Sequence, residues 1–439
     1  MSRLVPPLLR GNPPFRRFWT GQAISLFGDQ IGFIALPLAA VLALDANAAE
    51  MGYLAAALLA PNLLFSLHAG AWVDRRGRRR QVMMAADLGR AGLIATIPLA
   101  YAFDALTFPH LYAVAFLTGT LSVFFYVSYS TLFVSLVPRS QYVEAESVLN
   151  GSRAFSYVGG PSLGGLLVSL FTAPFALLAD AVSFVASALF LGRISPSEPP
   201  TEPQERGHLV AGLRFIWRSA IIRPALAATA TINFFNFVFF ALFVLFATRS
   251  LHVAPGTLGL VLGAGAVGGV IGSLVTGRLG RRIGIGPAFV LGCVLFPAPL
   301  VLVPLAAGPE PLVLALLFAA EFGSGLGVMI LDISAGAIFA ALIPDRLRAR
   351  VAGAYMVVNY GVRPLGALVG GALGTAIGLR PTLWLATVGA IAGVLWLLPS
   401  PVRSLRELPE AAEDEPTGAR PEEGVNVRLL SPAREPQGS

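Results

Sequence analysis

Gly70-Ala71-Trp72-Val73-Asp74-Arg75-Arg76-Gly77-Arg78-Arg79-Arg80 has an echo further along the chain, Gly272-Ser273-Leu274-Val275-Thr276-Gly277-Arg278-Leu279-Gly280-Arg281-Arg282. In both, a long apolar run stops at a cluster of arginines. About 20 apolar residues cross a hydrocarbon core about 30 Å thick. Arginines that close such a run resist translocation and mark its cytoplasmic end. Two copies of one pattern imply a helical membrane protein built by duplication.

Composition agrees with that reading. Of 439 residues, 55% are hydrophobic and 13% are charged, with a mean hydropathy of +0.73. A soluble domain carries roughly 25% charged residues, so this chain has too little polar surface for water. Apolar runs fall at about 18–43, 51–72, 82–103, 110–136, 147–171 and 174–192, and again at about 224–248, 257–277, 286–307, 311–343, 351–377 and 380–399. The run at 311–343 is long, and Gly323-Ser324-Gly325-Leu326-Gly327 is the place where a break is expected. The first run is about 26 residues long and carries Asp29. It is too long for the apolar region of a cleaved signal, which is about 7–15 residues.

The loop arginines settle the topology on paper. They lie in the N-terminal segment, in every second loop and in the tail; the alternate loops hold only Arg249 and Arg380. Positive charge collects on the cytoplasmic side. Both termini are therefore expected in the cytoplasm, with an even number of spans, in the plasma or inner membrane. The pI of about 10.0 reflects this face and calls for no nucleic-acid partner. All 31 basic residues are arginine, so the lysine of a phosphate-binding P-loop is missing and no lysine Schiff base can form. Cys293 is alone, and the four histidines are scattered without metal-ligand spacing. No enzyme, metal site or cofactor is expected.

Domain organisation follows from the polar middle. Residues 1–17 form a cytoplasmic segment and 18–192 a six-helix bundle. Residues 193–223 form a linker, 224–399 a second six-helix bundle, and 400–439 a tail expected to be disordered. The linker begins with the Pro-rich stretch Ser195 to Pro203. It then carries Leu209, Leu213 and Ile216 at helical spacing, with Arg214 and Arg218 on another face. That pattern suits a helix lying in the interface. The halves also share Leu136-Val137-Pro138 with Leu342-Ile343-Pro344, and Tyr157-x3-Pro161 with Tyr360-x3-Pro364. Parallel duplicated halves place a substrate site near the midplane, between them.

These residues resemble the major facilitator superfamily. Gly70-x3-Asp74-Arg75-x-Gly77-Arg78-Arg79-Arg80 matches that family's loop 2–3 motif. Gly160-Pro161-x2-Gly164-Gly165 is similar to its antiporter motif. Ser25 to Gln30, Asp87 to Ala91, Asp180 to Phe184 and Gly212 to Phe215 resemble the macrolide-efflux and enterobactin-exporter branch. The resemblance runs from about residue 15 to 400. It implies an all-α fold of twelve transmembrane helices in two pseudo-repeats, alternating access, and an ion gradient as the driving force, a proton gradient above all. It also implies that the first, fourth, seventh and tenth helices line the cavity. One departure is that the fourth span lacks the arginine often found in proton-coupled antiporters; Arg90 in the third is a partial substitute.

Charges inside spans are the sharpest candidates. Each costs about 2.5–3.5 kcal/mol at a helix centre and normally faces an interior or a cavity. Asp29, flanked by Gln22 and Gln30, is either a proton-coupling acid, a contact for a cationic substrate, or an inter-helix partner that never titrates. Glu321 and Asp332 on the tenth span follow it. Asp87, Arg90, Arg153, Asp180 and Arg363 are read as a charge network. In it Asp87 pairs with Arg90 three residues on, Arg153 lies at the same inner level, and Arg363 anchors a neighbouring carboxylate. Gly70, Asp74, Arg75, Gly77, Arg78 and Arg79 serve as a gate or as a simple topology anchor. Gly160, Pro161, Gly164 and Gly165 serve as close packing or as a hinge. Tyr126 with Phe124, Phe125 and Tyr129, and Asn233 and Asn236 with Phe234, Phe235, Phe239 and Phe240, suit a bulky amphipathic solute or simply face lipid. The expected activity is export of a hydrophobic or amphipathic small molecule (a drug, a siderophore or a secondary metabolite) by proton antiport, in a monomer embedded in the bilayer. Proton-linked nutrient uptake, lysolipid flipping and a non-transporting sensor are the rivals.

Overall fold

The structure, a computed structural model, describes residues 6–195 and 208–406. Most of the Pro-rich linker and the tail beyond Arg406 lie outside the described residues. The long helices are α1 (Pro13–Ala43), α2 (Ala48–Arg76), α3 (Arg79–Ala102), α4 (Phe108–Leu136), α5 (Tyr142–Phe171) and α6 (Ala173–Gly192) in the first half. The second half holds α7 (Ile222–Arg249), α8 (Pro255–Ile283), α9 (Ile285–Leu305), α10 (Glu310–Leu342), α11 (Asp345–Ile377) and α12 (Leu379–Leu397). Eleven helices among the described residues are long and apolar enough to cross a membrane. The long helix outside that set is α11, where Arg363, Tyr360, Pro364 and a run of glycines dilute the apolar content. The chain is an all-α integral membrane protein.

Helix ends follow local chemistry. Asn47 caps α2 by accepting from the Glu50 N–H at 3.0 Å, and the Glu50 carboxylate accepts from the Asn47 N–H at 2.7 Å. This reciprocal box satisfies two otherwise orphaned donors. Gly77 closes the same helix at φ 61°, and its N–H reaches the Val73 carbonyl at 3.1 Å. A β-carbon would strain that left-handed turn. The motif glycine at 77 thus has a backbone task before any functional one.

Three expectations need correction. No break interrupts α10 at Gly323–Gly327. A β-carbon at Gly323 would lie 2.7 Å from the Pro299 ring. At Gly325 one would strike the Gly265 backbone, and at Gly327 the Leu295–Phe296 backbone. These glycines are seats for α8 and α9. The interruption falls instead in α9, where Pro297 and Pro299 turn the helix into 3-10 geometry over Ala298–Val301, since each proline removes a backbone donor. Second, the chain is packed beyond residue 400. Val402 is buried, and the Gly286 N–H donates to the Leu405 carbonyl at 2.8 Å. Third, the residues before 18 are part of the bundle. Leu8, Leu9 and Phe15 are buried, and the Asn12 side chain donates to the Leu136 carbonyl at 2.8 Å.

The linker helix His208–Arg218 packs on α11, with Gly212 against the Arg350 backbone. Ile216 is buried and Trp217 is exposed, as an interfacial helix requires. Leu209 lies outside the described side chains.

The halves meet along two seams, α2 with α11 and α5 with α8. Both are tightest at the arginine-poor end. There a β-carbon at Gly52 would lie 2.8 Å from Gly371 Cα, and one at Gly165 would lie 3.1 Å from Gly259 Cα. Asp45 and Arg249 pair across the halves at this end. At the arginine-rich end, β-carbons at Gly70, Gly151, Gly336 and Gly353 would meet nothing within 4 Å. The structure is sealed at one end and open at the other.

Candidate substrate cavity

Between the halves lies a cavity of about 470 Å³, a size suited to an organic solute. Its walls are Gly32, Phe33 and Pro37 of α1, Leu54 and Leu58 of α2, Ile94 of α3, Thr118 and Tyr126 of α4, Phe184 of α6, and Asn236, Phe237, Phe240 and Val244 of α7. Asp29, Arg90 and Asp180 are the charged groups of its lining.

These charges form one cluster. The Arg90 guanidinium lies over Phe184 at 4.0 Å and Phe125 at 4.5 Å. One Nη pairs with Asp87; the other lies 3.9 Å from the Asp29 carboxylate and 3.4 Å from the Ser122 hydroxyl. Arg90 and Asp87 are buried, whereas Asp29 is 30% exposed, toward the cavity. Asp180 comes in from α6. Its carboxylate lies where a β-carbon of Gly32 would be, and Ser183 with the Asp180 carboxylate behind it fills that place at Gly28, so these glycines make room for the pair. Asp180 Oδ1 and Asp87 Oδ2 are buried with no hydrogen-bond partner among the described residues. Three carboxylates therefore share one guanidinium in an apolar setting. Unpaired charge there is costly.

The expected network is partly redrawn. Asp29, Asp87, Arg90 and Asp180 converge, but Arg153 does not join them: it donates to Asn150 of its own helix at 3.2 Å. Arg363 pairs with no carboxylate among the described residues and lies over the Tyr360 ring at 3.9 Å. Of the first, fourth, seventh and tenth helices, the tenth lines no part of this cavity; α2, α3 and α6 take its place. Glu321 is buried against α8, beside Gly265, and Asp332 is exposed off the cavity wall. Gln30 packs against Gly160, and Asn233 donates to the Thr229 carbonyl at 3.0 Å, so neither lines the cavity. Tyr126 and Asn236 do.

The motifs have identifiable contacts. Gly160 and Gly164 seat α1 through Gln30, Ile31 and Ile34; Gly165 faces the other way, onto the α8 seam. In the 70–80 loop Arg79 is buried and Arg75 and Arg78 are exposed. Arg80 donates to the Ile194 carbonyl beyond the end of α6, where a cation complements the helix dipole. The side chain of Asp74 lies outside the described residues. Sequence reasoning missed Phe184 as the second ring on Arg90, although Asp180-x3-Phe184 places both on one face of α6.

A family model described as transmembrane secretion effector, within the major facilitator type, matches residues 5–429. The chain belongs to that family of membrane transporters. Two relatives, each a multidrug efflux pump Tap, are similar to it. The one from Mycolicibacterium fortuitum is 27% identical over 371 residues, 81% of this chain and 88% of its own. The one from Mycobacterium tuberculosis (strain ATCC 25618 / H37Rv) is 27% identical over 418 residues, 89% and 94% respectively. The fold is that of the inward-facing crystal structure of a bacterial homologue of the iron transporter ferroportin. The TM-score is 0.75 at 16% identity, over 91% of this chain and 100% of that one. The crystal structure of a point mutant of the nucleoside transporter NupG matches at 0.72 with 12% identity, over 88% and 99%.

Proposed function

We propose that this transporter exports bulky hydrophobic or amphipathic molecules by proton antiport, with the arginine-rich end in the cytoplasm. The observation that carries the reading is the cavity itself, an apolar and aromatic chamber whose charged lining is Asp29 beside the Arg90, Asp87 and Asp180 cluster. The aromatic wall takes an apolar body by burial and ring contacts. Asp29, open to the cavity, takes a proton or gives it up as solute leaves or enters. Arg90 gives that carboxylate a neighbouring positive charge. The likeness to proteins named multidrug efflux pumps supports the direction and the breadth of substrate.

The open end then faces the cytoplasm and admits solute from within or from the inner leaflet. Exchange of the open and sealed ends along the α2–α11 and α5–α8 seams releases it outside. The test is efflux from proteoliposomes. An imposed inward proton gradient drives loss of a lipophilic dye from wild type. Asp29→Asn abolishes the gradient dependence while binding and folding persist. Unchanged gradient-driven efflux in Asp29→Asn removes Asp29 from the coupling.

A further inference from the structure

We propose that Arg363 is an anion-recognising subsite beside the cavity, behind the Phe237 wall, and that the exported solutes include amphipathic organic anions. The proposal rests on the export reading above for what is carried, not for where it binds.

Arg363 lies midway along α11. Its guanidinium is held over Tyr360 at 3.9 Å and Phe237 at 5.2 Å. Phe237 lines the cavity and Arg363 does not, so the cation stands one ring away from the chamber. One turn further along α11, Ala367 packs on Ala241, another wall residue. One turn back toward the open end, Gly361 meets Leu63 of α2 and Tyr360 is exposed. The α2–α11 seam therefore keeps one contact, Gly361 with Leu63, beyond Arg363 toward the open end.

Its electrostatic state differs from that of Arg90. Both guanidiniums lie between aromatic rings. Arg90, however, is paired with Asp87 and faces Asp29, whereas the ion pairs among the described residues include none to Arg363. Its Nε is buried without a hydrogen-bond partner. Asp332 on α10 acts on it through space from beyond ion-pair distance. A cation inside a membrane helix with no ion-pair partner is costly. A planar guanidinium held by stacking is pre-organised to bind a carboxylate, sulfonate or phosphate group. The chamber would then take the apolar body while Arg363 takes the acidic group.

The test uses dansyl probes of equal length ending in a sulfonate, a neutral amide or a trimethylammonium group, titrated into the full-length protein in phosphatidylcholine nanodiscs. Wild type is expected to bind the sulfonate about tenfold more tightly than the amide, the order of one charge-assisted hydrogen bond. Arg363→Gln is expected to abolish that preference and leave the Kd for the amide unchanged; Asp332→Asn is expected to keep it. Equal binding of sulfonate and amide by wild type, or tighter binding of the trimethylammonium probe, overturns the proposal without any variant. So does an intact preference in folded Arg363→Gln. Efflux of the amide probe from proteoliposomes tests the export reading separately. No efflux alongside an Arg363-dependent sulfonate preference supports the subsite and removes export.

Discussion

Replacing Gly165 with alanine is expected to tip the protein away from the observed state. The added methyl would lie 3.1 Å from Gly259 Cα and 3.2 Å from Gly256 Cα, with the Pro255 carbonyl closer still. Ordinary contact begins near 3.4 Å, and each obstacle is backbone, so no side-chain rotation relieves it. The helices must separate by up to about 1 Å along the α5–α8 seam to clear the Pro255 carbonyl. Overpacking of this kind costs about 1–3 kcal/mol. The gain in helix propensity from Gly to Ala applies whichever end is open and cancels. Because the seam is closed in this state and has to part in the opposite one, the cost falls on one side of the equilibrium. It shifts the populations by roughly 5- to 150-fold. The assay uses a Cys293→Ser background with one reporter cysteine at Leu36 on the cavity wall. Labelling by a membrane-impermeant maleimide from the arginine-poor side is expected to quicken by about that factor. Gly353→Ala, whose methyl meets nothing within 4 Å, is expected to leave the rate unchanged or lower it. Equal rates for wild type and folded Gly165→Ala would refute the idea that this seam seals the chamber.

Other expectations concern the charges. Arg90→Gln strands Asp87, Asp180 and Asp29 together, and removing one partner of a buried pair costs about 3–5 kcal/mol; thermal unfolding in detergent should show a large loss, and Asp87→Asn a much smaller one. Asp45→Asn, at an exposed pair with Arg249, should change stability by less than about 1 kcal/mol, read by the same melt. Glu321→Gln should leave gradient-driven efflux intact, since Glu321 faces α8 rather than the cavity; loss of coupling in that variant would move the proton site to the second half.

Much of the architecture is legible because arginines close the apolar helices at alternate connections. The alternation of arginine-rich and arginine-poor loops and the echo of 70–80 in 272–282 report it directly. The exceptions are informative too. Arg249 pairs with Asp45, and Arg380 donates to the carbonyls of Pro304 and Ala306 at 3.1 Å each. The facing of individual side chains was much less legible. In water, an apolar stripe shows which face of a helix is buried. In lipid, the outer face is as apolar as the core, so Asp29 on α1 and Glu321 on α10 look alike in the sequence although one meets the cavity and the other a helix seam. Asp180 shows the same limit. It occupies the space left by Gly32, with Ser183 in that left by Gly28, and an absent side chain leaves no periodic trace. The 323–327 glycines look like a break in the sequence for the converse reason, since flexibility and close approach call for the same residue.

Gradient-driven efflux in proteoliposomes, comparing wild type with Asp29→Asn under an inward proton gradient, tests the central claim most directly. The expected result is dye loss from wild-type vesicles that collapses with a protonophore, and no gradient response in the folded variant. Efflux from wild type that ignores the proton gradient, or a full response in Asp29→Asn, would contradict it.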